Sequence, residues 1–285
     1  MDINAFIKTI ESEKWNIHGV EVYIDGGLEY AYKDTQEKPY SIYSATKTIA
    51  AIGIGMVCDE GRLDLDKSVL EYLPENVVRV LSGAQQEIYK QVTARHLLTM
   101  SIGGFPFRPE GETWLRNALE YPVFVDEGGI HYSNVSAYLM GVVGTQALGE
   151  DFFHYLNRKL FIPLSIDNPE HGRCPDGYFY GGSHMKLRVN ELSRIGMLLY
   201  NKGVYQGERL LSESFVNEAT CFKHFGISKA YGYFLWKYLS GYCIKGKWGQ
   251  KCIILPEDKL MITYLASMEE NAGDFEKNVE KNLLT

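Results

Sequence analysis

The sequence lacks the signatures of several common enzyme and binding classes. Its seven histidines form no HxH or HExxH pair, and it contains neither a GxSxG nucleophile elbow nor a glycine-rich phosphate loop. We therefore predict no metal and no bound cofactor, and an α/β-hydrolase fold would be missing the turn that carries its nucleophile. The five cysteines are odd in number and show no CxxC spacing, which favours free thiols over a disulfide framework.

Charge and hydropathy exclude further classes. The net charge is −7 and no run of basic residues is longer than two, so we predict no nucleic-acid partner. The longest apolar stretches fall well short of the ~20 residues that span a bilayer, so we predict no membrane span. Residues 1–8 lack the basic and apolar segments of a signal peptide, which predicts a cytoplasmic location unless a longer precursor was trimmed. The sequence leaves the oligomeric state open.

The order of predicted elements indicates an α/β (α+β) fold. Strands occur near both ends of the chain and helices lie between them, which predicts an antiparallel sheet flanked by helices and a mainly helical second subdomain. We expect residues 1–50 and 206–285 to form the sheet subdomain, residues 51–205 to form the helical one, and an active site to lie at their interface. The predicted helices cover residues 1–14, 44–61, 67–72, 94–100, 113–120, 136–147, 152–159, 187–201, 212–219 and 274–284. The predicted strands cover residues 20–24, 28–33, 231–238, 242–247, 251–255 and 259–265.

A serine and a lysine begin the most apolar helix of the chain. In Ser44-Ala45-Thr46-Lys47 the two polar residues are three apart, which places them on one helix face about 5–6 Å apart at Cβ. A serine hydroxyl is a weak nucleophile and needs a base beside it. A lysine acts as a base only when it is neutral, and burial in the apolar run that follows would lower its pKa. We expect Ser44 to be a nucleophile and Lys47 a candidate base.

A tyrosine and an asparagine follow about a third of the chain later. Tyr132-Ser133-Asn134 lies after Gly128-Gly129 and is predicted to be a loop. Residues two apart in an extended segment point the same way, so the phenol and the amide can face one cleft. Tyr132 could then exchange a proton with the nucleophile, while Asn134 could bind a substrate carbonyl and hold the lysine in place.

The third segment, residues 244–250, is a predicted strand interrupted by glycines. Gly246 and Gly249 would let its backbone approach a ligand closely, and the N–H after one of them could pair with the N–H of Ser44 as an oxyanion hole. By itself the segment is explained by a plain strand with a glycine bulge. We also consider four aromatic residues as candidates for the pocket wall, although each is more often a core residue: Phe105, Phe107, Trp114 and Trp248.

Two further patterns have structural explanations that we prefer. A second SxxK match, Ser183-His184-Met185-Lys186, follows a pair of glycines and is interpreted as a turn and helix cap. His131 precedes the tyrosine, but strand alternation would turn its side chain away from the cleft.

The order SxxK, YxN and then a glycine-containing strand resembles the serine β-lactamase and penicillin-binding-protein superfamily. The resemblance is to its class C-type branch, which also contains esterases, D-aminopeptidases and 6-aminohexanoate-dimer hydrolases. It extends over nearly the whole chain, through residues 43–48, 92–101, 131–141, 161–164 and 231–236. It implies a β-lactamase/transpeptidase-like fold in which Ser44 is acylated. It also implies that Lys47 and Tyr132 share the base and acid roles and that Asn134 binds substrate.

The family's third motif fits this chain in two registers. In the one we favour, Lys247-Trp248-Gly249 supplies the substrate-binding residues and the amide of Gln250 shares the oxyanion with that of Ser44. In the alternative, Ile244-Lys245-Gly246, the amide of Lys247 takes that place.

Both registers lack the middle hydroxyl with which the family helps to bind the carboxylate of a β-lactam or peptide. We therefore expect a cytoplasmic serine hydrolase that cleaves a small ester or amide through an acyl-enzyme. One alternative is β-lactamase, D,D-peptidase or penicillin-binding activity on a β-lactam-like substrate. Another is a catalytically weakened homologue that binds or senses such a molecule.

Overall fold

The strands form one large antiparallel sheet and three short pairs. The structure is a computed structural model that describes residues 1–33, 38–226 and 229–284. The strands in these residues are β1 (Ile17–Ile24), β2 (Gly27–Lys33), β3 (Tyr40–Ser41), β4 (Ile102–Gly103), β5 (Phe124–Val125), β6 (Lys186–Leu187), β7 (Val204–Tyr205), β8 (Glu208–Arg209), β9 (His224–Gly226), β10 (Lys229–Tyr231), β11 (Trp236–Tyr238), β12 (Gly241–Gly246), β13 (Gln250–Leu255) and β14 (Leu260–Ala266).

The helices lie mostly between the two sets of long strands. In the same residues they are α1 (Ile3–Glu13), α2 (Thr46–Asp59), α3 (Glu75–Val78), α4 (Gly83–Tyr89), α5 (Ala94–Leu98), α6 (Trp114–Glu120), α7 (Asn134–Leu148), α8 (Phe152–Leu156), α9 (Val189–Tyr200), α10 (Glu213–Ala219) and α11 (Ala272–Leu283). None of the described helices combines the length and the apolar character needed to cross a membrane.

The large sheet joins the two ends of the chain. Its strand order is β2-β1-β14-β13-β12-β11-β10-β9, so the N-terminal hairpin pairs with the last strand. The strand β13 is buried along its whole length because helices cover both faces of the sheet. On one face lie α1 and α11, and on the other lies α9. Both chain ends therefore contribute to one hydrophobic layer.

Side chains alternate between two cores along the central strands. Cys243 and Ile253 belong to the core beneath α1 and α11, whereas Ile244 and Cys252 belong to the core that includes α2 and α9. Because successive strand residues point to opposite faces, the two cysteines lie on opposite sides of the sheet. Both thiols are free and buried.

The helical layer is centred on α2 and α7, which pack against each other. Both helices are apolar on nearly all sides and buried over most of their length. Glycines in α2 and α7 allow neighbouring segments of the chain to approach these helices closely. A Cβ atom at Gly141 of α7 would lie 2.4 Å from the carbonyl oxygen of Phe179, and one at Gly53 of α2 would lie 2.4 Å from the side chain of Leu156.

The predicted fold class is confirmed, with differences at several elements. The single strand expected over residues 231–238 is two strands, β10 and β11, because the N–H of Gly232 donates to the carbonyl of Leu235 and closes a turn. The helix expected over residues 67–72 is a short 3-10 turn, Val69–Tyr72. The helix expected over residues 152–159 stops being α-helical after Leu156 and continues as a π-helical turn.

The division into subdomains stays a prediction. Residues 34–37, 227–228 and 285 of the expected sheet subdomain lie outside the described residues. At the end of the expected helical subdomain, α9 contacts β1, β13 and β14 of the large sheet. The structure thus places a helix from residues 51–205 directly on the sheet.

We predict that Gly141→Ala destabilises the protein. Alanine has a better helix propensity than glycine by about 1 kcal/mol, but the added methyl group would meet a backbone carbonyl that cannot move aside. We expect the free energy of unfolding to fall by about 1–3 kcal/mol in chemical denaturation. Gly83→Ala in α4 is the control, because a Cβ there meets nothing within 4 Å. Equal stability of the two variants would contradict this account of the α7 contact.

Candidate active site

Ser44 lies in a tight turn at the start of α2. The turn is the 3-10 segment Tyr43–Ala45, and the α-helix follows at Thr46. Tyr43 has a φ of +48°, a left-handed conformation that costs a non-glycine residue about 1–2 kcal/mol. The turn leaves Ser44 partly exposed while the following residues are buried. The free N–H groups at the start of a helix favour negative charge, so this position suits an oxyanion.

Lys47 reaches three oxygen atoms from within the protein. Its Nζ lies 3.2 Å from the Oγ of Ser44, 2.6 Å from the Oδ1 of Asn134 and 2.7 Å from the carbonyl oxygen of Gly182. The residue is 1% exposed. Burial lowers the pKa of Lys47 to about 7, because an ammonium ion loses its hydration there. A large fraction of this amine is therefore neutral at physiological pH.

Tyr132 borders the other side of Ser44. It lines the same cavity as Ser44, and the Nζ of Lys47 lies 5.0 Å from its ring centroid. The ring stacks on Trp236 with the centroids 5.6 Å apart. Burial raises the pKa of Tyr132 to about 12. The phenol therefore keeps its proton in the resting site.

Asn134 occupies the first position of α7. Ser133 caps the helix by accepting a hydrogen bond from Val135, and the N–H of Asn134 donates to the carbonyl of Phe107 at 2.7 Å. These contacts fix the backbone of the asparagine, and its side chain is buried. Asn134 thereby presents its amide to Lys47.

The third segment is a hairpin whose strand end contacts the nucleophile turn. A Cβ atom at Gly246 would lie 2.2 Å from the carbonyl oxygen of Ile42, two residues before Ser44. Only glycine allows this approach, as the sequence suggested for a strand close to the site. The outer edge of β12 is open here, because the pairs between β11 and β12 end at Cys243.

The residues of the favoured register lie around the hairpin turn. Trp248 and Gly249 have φ angles of +63° and +90° in the turn between β12 and β13. Trp248 packs edge-on against Tyr43 with the ring centroids 5.0 Å apart, and the Nζ of Lys247 lies 3.5 Å from the Trp248 ring. Gln250 is 1% exposed and donates through its side chain to the carbonyl of Ala266.

Ser44 and Tyr132 open into a cavity of about 460 Å³. Its size fits a small-molecule site. The remaining lining residues are Phe107, Trp236, Lys237, Tyr238, Cys243, Lys245, Gly246, Lys247, Lys251 and Glu276. This lining includes Gly246 and Lys247 of the third segment, whereas Trp248, Gly249 and Gln250 lie outside it among the residues described.

The cavity has a cationic wall that the sequence did not reveal. Four lysines line it and are accompanied by a single carboxylate, that of Glu276. Glu276 forms an ion pair with the buried Lys251 and lies 3.6 Å from Lys245. Burial would raise the pKa of Glu276, but these two lysines lower it overall. Because these residues come from β11, β12, the turn after it, β13 and α11, only the tertiary structure brings them together.

The other candidates occupy structural positions. His131 pairs with Asp126 at 2.8 Å. Of the four aromatic candidates Phe107 lines the cavity, while Trp114 packs in the core against Tyr138. The second SxxK segment is a turn and a short extended stretch leading to α9, whose cap is Arg188. The interpretation of this segment as a turn is correct, but it does not cap a helix.

A larger cleft of about 730 Å³ lies at the far end of α2, beside Cys58 and Asp59. Several of its charged residues are paired with one another, since Arg95 bridges Asp66 and Glu218 and Lys67 lies 3.7 Å from Glu71. Burial raises the pKa of Cys58 to about 12, so its thiol is a poor nucleophile. The cleft is separated from Ser44 by a 14-residue helix, which is roughly 20 Å long. No group of three or more histidine, cysteine or acidic side chains suited to a metal occurs in the described parts of the chain.

A family model matches nearly the whole chain. A sequence model of the family described as Beta-lactamase matches residues 8–285, which include every residue of the site. A search of curated protein sequences finds no significant match.

Several solved structures share the fold over nearly their whole length. A presumed β-lactamase from Bacteroides dorei DSM 17855 has a TM-score of 0.79 at 16% identity, covering 99% of this chain and 98% of that one. A β-lactamase/D-alanine carboxypeptidase from Pseudomonas syringae has a TM-score of 0.75 at 14% identity, covering 99% and 97%. A D-stereospecific amidohydrolase from Streptomyces sp. has a TM-score of 0.73 at 19% identity, covering 99% and 98%. These structures confirm the predicted fold.

The burial of Lys47 predicts a specific pH dependence of stability. Between about pH 7 and about pH 10.4, the lysine of the unfolded chain holds a proton that the folded protein has released. The stability of the wild type relative to Lys47→Met should therefore rise with pH in this window, by up to about 1.4 kcal/mol per pH unit. Chemical denaturation at several pH values measures the difference. Lys67→Met, at a half-exposed lysine, is the control and should follow the wild type. Parallel curves for wild type and Lys47→Met would show that Lys47 is not desolvated.

Proposed function

The chain belongs to the β-lactamase family of hydrolases, and from this membership we propose that it cleaves a small ester or amide through an acyl-enzyme on Ser44. The observation that carries the proposal is the set of three contacts made by the Nζ of Lys47. One of these contacts joins the hydroxyl of Ser44 to the amine of Lys47, and burial lowers the pKa of this amine to about 7. This pair meets the requirement of a nucleophile with a base beside it.

The contacts of Lys47 also favour transfer of the hydroxyl proton of Ser44 to the amine of Lys47. A neutral amine has two N–H donors and one lone pair. The two short contacts, to Asn134 and Gly182, go to oxygens that can only accept, so they take the two donors. The lone pair is then left for the hydroxyl of Ser44 at 3.2 Å. Lys47 in this state is ready to accept the serine proton.

Tyr132 suits the opposite role. Its raised pKa makes it a poor base at rest, but it shares the cavity with Ser44 and its ring lies close to Lys47. As Ser44 Oγ bonds to the substrate carbonyl carbon, its proton passes to Lys47. Tyr132 then donates its own proton to the leaving group and regains one from the lysine. Water reverses these transfers and releases the acid.

We infer that the second oxyanion donor is the amide of Lys247. The close approach of Gly246 to Ile42, two residues before Ser44, supports this assignment, because the next N–H along the chain belongs to Lys247. Lys247 shares the cavity with Ser44, while Gln250 is buried beyond the hairpin turn. This geometry supports the register Ile244-Lys245-Gly246 over Lys247-Trp248-Gly249. The open edge of β12 can also pair with the backbone of an amide substrate.

The cavity suits a substrate with an apolar part and an anionic part. Its lining combines the aromatic residues Phe107, Tyr132 and Trp236 with four lysines. A carboxylate several bonds from the scissile carbonyl would be attracted by their positive potential. This property supports a small acidic ester or amide as the substrate.

Active-site labelling tests the assignment of Ser44. A fluorophosphonate should add one mass increment to the wild type and none to Ser44→Ala. Ser183→Ala is the matched control, because it changes the serine of the second SxxK segment, and it should be labelled like the wild type. The labelling rate should rise with pH through about 7 as Lys47 loses its proton, and then stay level. Mass spectrometry of peptides identifies the site. Labelling at another residue, or unchanged hydrolysis of p-nitrophenyl esters by Ser44→Ala, would refute the assignment.

The same samples distinguish the related activities. Turnover of nitrocefin would establish β-lactamase activity in place of a plain esterase or amidase. Stoichiometric labelling without turnover of esters, amides or nitrocefin would identify a binding homologue.

Two substitutions of Lys247 test whether its amide is the oxyanion donor. Lys247→Pro removes the amide hydrogen and the charge, whereas Lys247→Ala removes the charge alone. Loss of one oxyanion donor costs roughly 10²–10³ in kcat, so we expect Lys247→Pro to be slower than Lys247→Ala by this factor. Thermal denaturation checks that both variants are folded. Similar kcat values in two folded variants would favour Gln250 as the donor.

A further inference from the structure

Two aromatic rings connect the turn that carries Ser44 to the turn that carries Lys247. Tyr43 directly precedes Ser44 in the chain, and Trp248 directly follows Lys247. The two rings meet edge to face, with their centroids 5.0 Å apart and their planes at 80°. The contact therefore joins the immediate neighbours of the two amides that we assign to the oxyanion hole.

We propose that Tyr43 and Trp248 are positioning residues, whose contact holds the N–H of Lys247 close enough to that of Ser44 for both to donate to one oxyanion. We call this pair of rings the aromatic clamp. The inference rests on the proposed function, because it concerns the oxyanion hole of the same site. Among the described residues neither ring lines the cavity, so the clamp acts through the backbone of its neighbours. This role differs from the one expected for Trp248 from the sequence, which was to bind substrate.

The amide of Lys247 lies beyond the part of the hairpin that the sheet holds in place. The pairing between β12 and β13 ends at Gly246 and Gln250, and residues 247–249 form the turn. Within the described part of the chain, the N–H of Lys247 donates to no backbone carbonyl. This N–H is therefore available to a substrate, but no backbone hydrogen bond of its own fixes its direction. Its position depends on how the residues on either side are held.

Contacts on both sides of Lys247 attach the hairpin to the nucleophile turn. On one side Gly246 closely approaches the carbonyl oxygen of Ile42. On the other side the ring of Trp248 packs against Tyr43. The N–H between these contacts is thus held by the backbone at one end and by the aromatic clamp at the other. Loss of the clamp would leave Lys247 attached to the nucleophile turn at one end only.

Trp248 is anchored to the sheet as well as to Tyr43. Its carbonyl accepts from the N–H of Met268 at 3.1 Å and from the side-chain amide of Gln250 at 3.3 Å. Its φ of +63° is one that a bulky residue seldom adopts, and such a conformation persists where surrounding contacts hold it. The Nζ of Lys247 lies 3.5 Å from the centre of the same ring, which is a cation–π contact. The indole therefore has a defined position from which to support the adjacent amide.

An oxyanion hole tolerates little displacement of its donors. Each N–H must lie about 2.7–3.1 Å from the oxygen on which the charge develops. A displacement of about 1 Å near the reacting atoms can cost on the order of 10²-fold in rate. Because Ser44 and Lys247 lie far apart in the chain, the spacing of their amides is set by tertiary contacts such as the clamp.

The test removes each ring of the clamp. Trp248→Asn deletes the indole, and asparagine adopts a left-handed conformation more readily than most residues. Tyr43→Ala deletes the other ring and replaces the first variant if Trp248→Asn does not fold. Trp15→Asn is the matched control, because the ring of Trp15 also packs edge-on against an aromatic ring, that of Phe275, at 5.6 Å, but lies beside the core beneath α1 and α11.

The readouts are kcat and KM for a p-nitrophenyl ester and the inhibition constant of a boronic acid. Boron bonds to the Oγ of Ser44 and becomes tetrahedral, so one of its oxygens can occupy the oxyanion position. Such an adduct resembles the transition state and depends on the same two donors. Thermal denaturation measures the folded fraction of each variant.

We expect Trp248→Asn to lower kcat by about tenfold to a hundredfold, a part of the factor of roughly 10²–10³ that one oxyanion donor contributes. KM should change little, because the charge on the oxygen develops only in the transition state. The affinity for the boronic acid should fall by a similar factor. Trp248→Phe, which keeps an aromatic ring, should recover most of the loss. Trp15→Asn should keep the wild-type kcat, whatever it does to stability.

A double variant tests whether the two rings act as one contact. If they do, Tyr43→Ala combined with Trp248→Asn should cost no more in kcat than either change alone. The inference fails if the two losses multiply, because the rings would then act independently.

Other results would also overturn the inference. It fails if folded Trp248→Asn keeps the wild-type kcat, or if kcat falls while the affinity for the boronic acid is unchanged. It fails too if Trp15→Asn lowers kcat equally. These results leave the proposed function intact. If the wild type shows neither turnover nor labelling of Ser44, the proposed function itself is refuted, and the role of the clamp with it.

Discussion

The arrangement around Ser44 depends on the desolvation of one amine. Lys47 is held inside the protein by three oxygens and is shielded from water. An exposed lysine has a pKa near 10.4 and would carry its proton at neutral pH. Here burial lowers it to about 7. Without that shift Ser44 would have no neutral amine beside it, and the phenol of Tyr132, whose pKa is raised, also keeps its proton at neutral pH.

The rest of the fold can be understood as the support for this buried amine. The apolar helix α2 carries Lys47 and is covered by α7, whose first residue supplies one acceptor. A backbone carbonyl at Gly182 supplies another, and the two glycines there allow the chain to approach closely. A Cβ at Gly181 would lie 2.9 Å from the carbonyl oxygen of Ala137. Keeping an ionisable group in such a place reduces stability, which is a common property of catalytic sites.

The sequence could predict those elements whose geometry depends on interactions between residues close together in the chain. The spacing of Ser44 and Lys47 follows from helical geometry, and the apolar run after them predicts the burial that lowers the lysine pKa. The end of the N-terminal helix was predicted to within a residue, at Lys14 against the observed Glu13, since its amphipathic pattern is a local signal. The break in the strand over residues 231–238 could not be predicted, because Gly232 turns where a Cβ would meet the carbonyl of Ala219, a residue of a different element.

By itself the sequence determined the fold class, the family resemblance and the order of the three motifs, since helical spacing, alternation and apolar runs are properties of neighbouring residues. Only the tertiary structure decided which glycine of the third segment approaches the nucleophile turn and which side chains form the cationic wall. It alone brought the amide oxygen of Asn134 and the carbonyl oxygen of Gly182 to Lys47. The physical reason is that these contacts depend on strand register and on helices far apart in the chain. Their geometry is fixed when the two cores close around the sheet, not by any short segment.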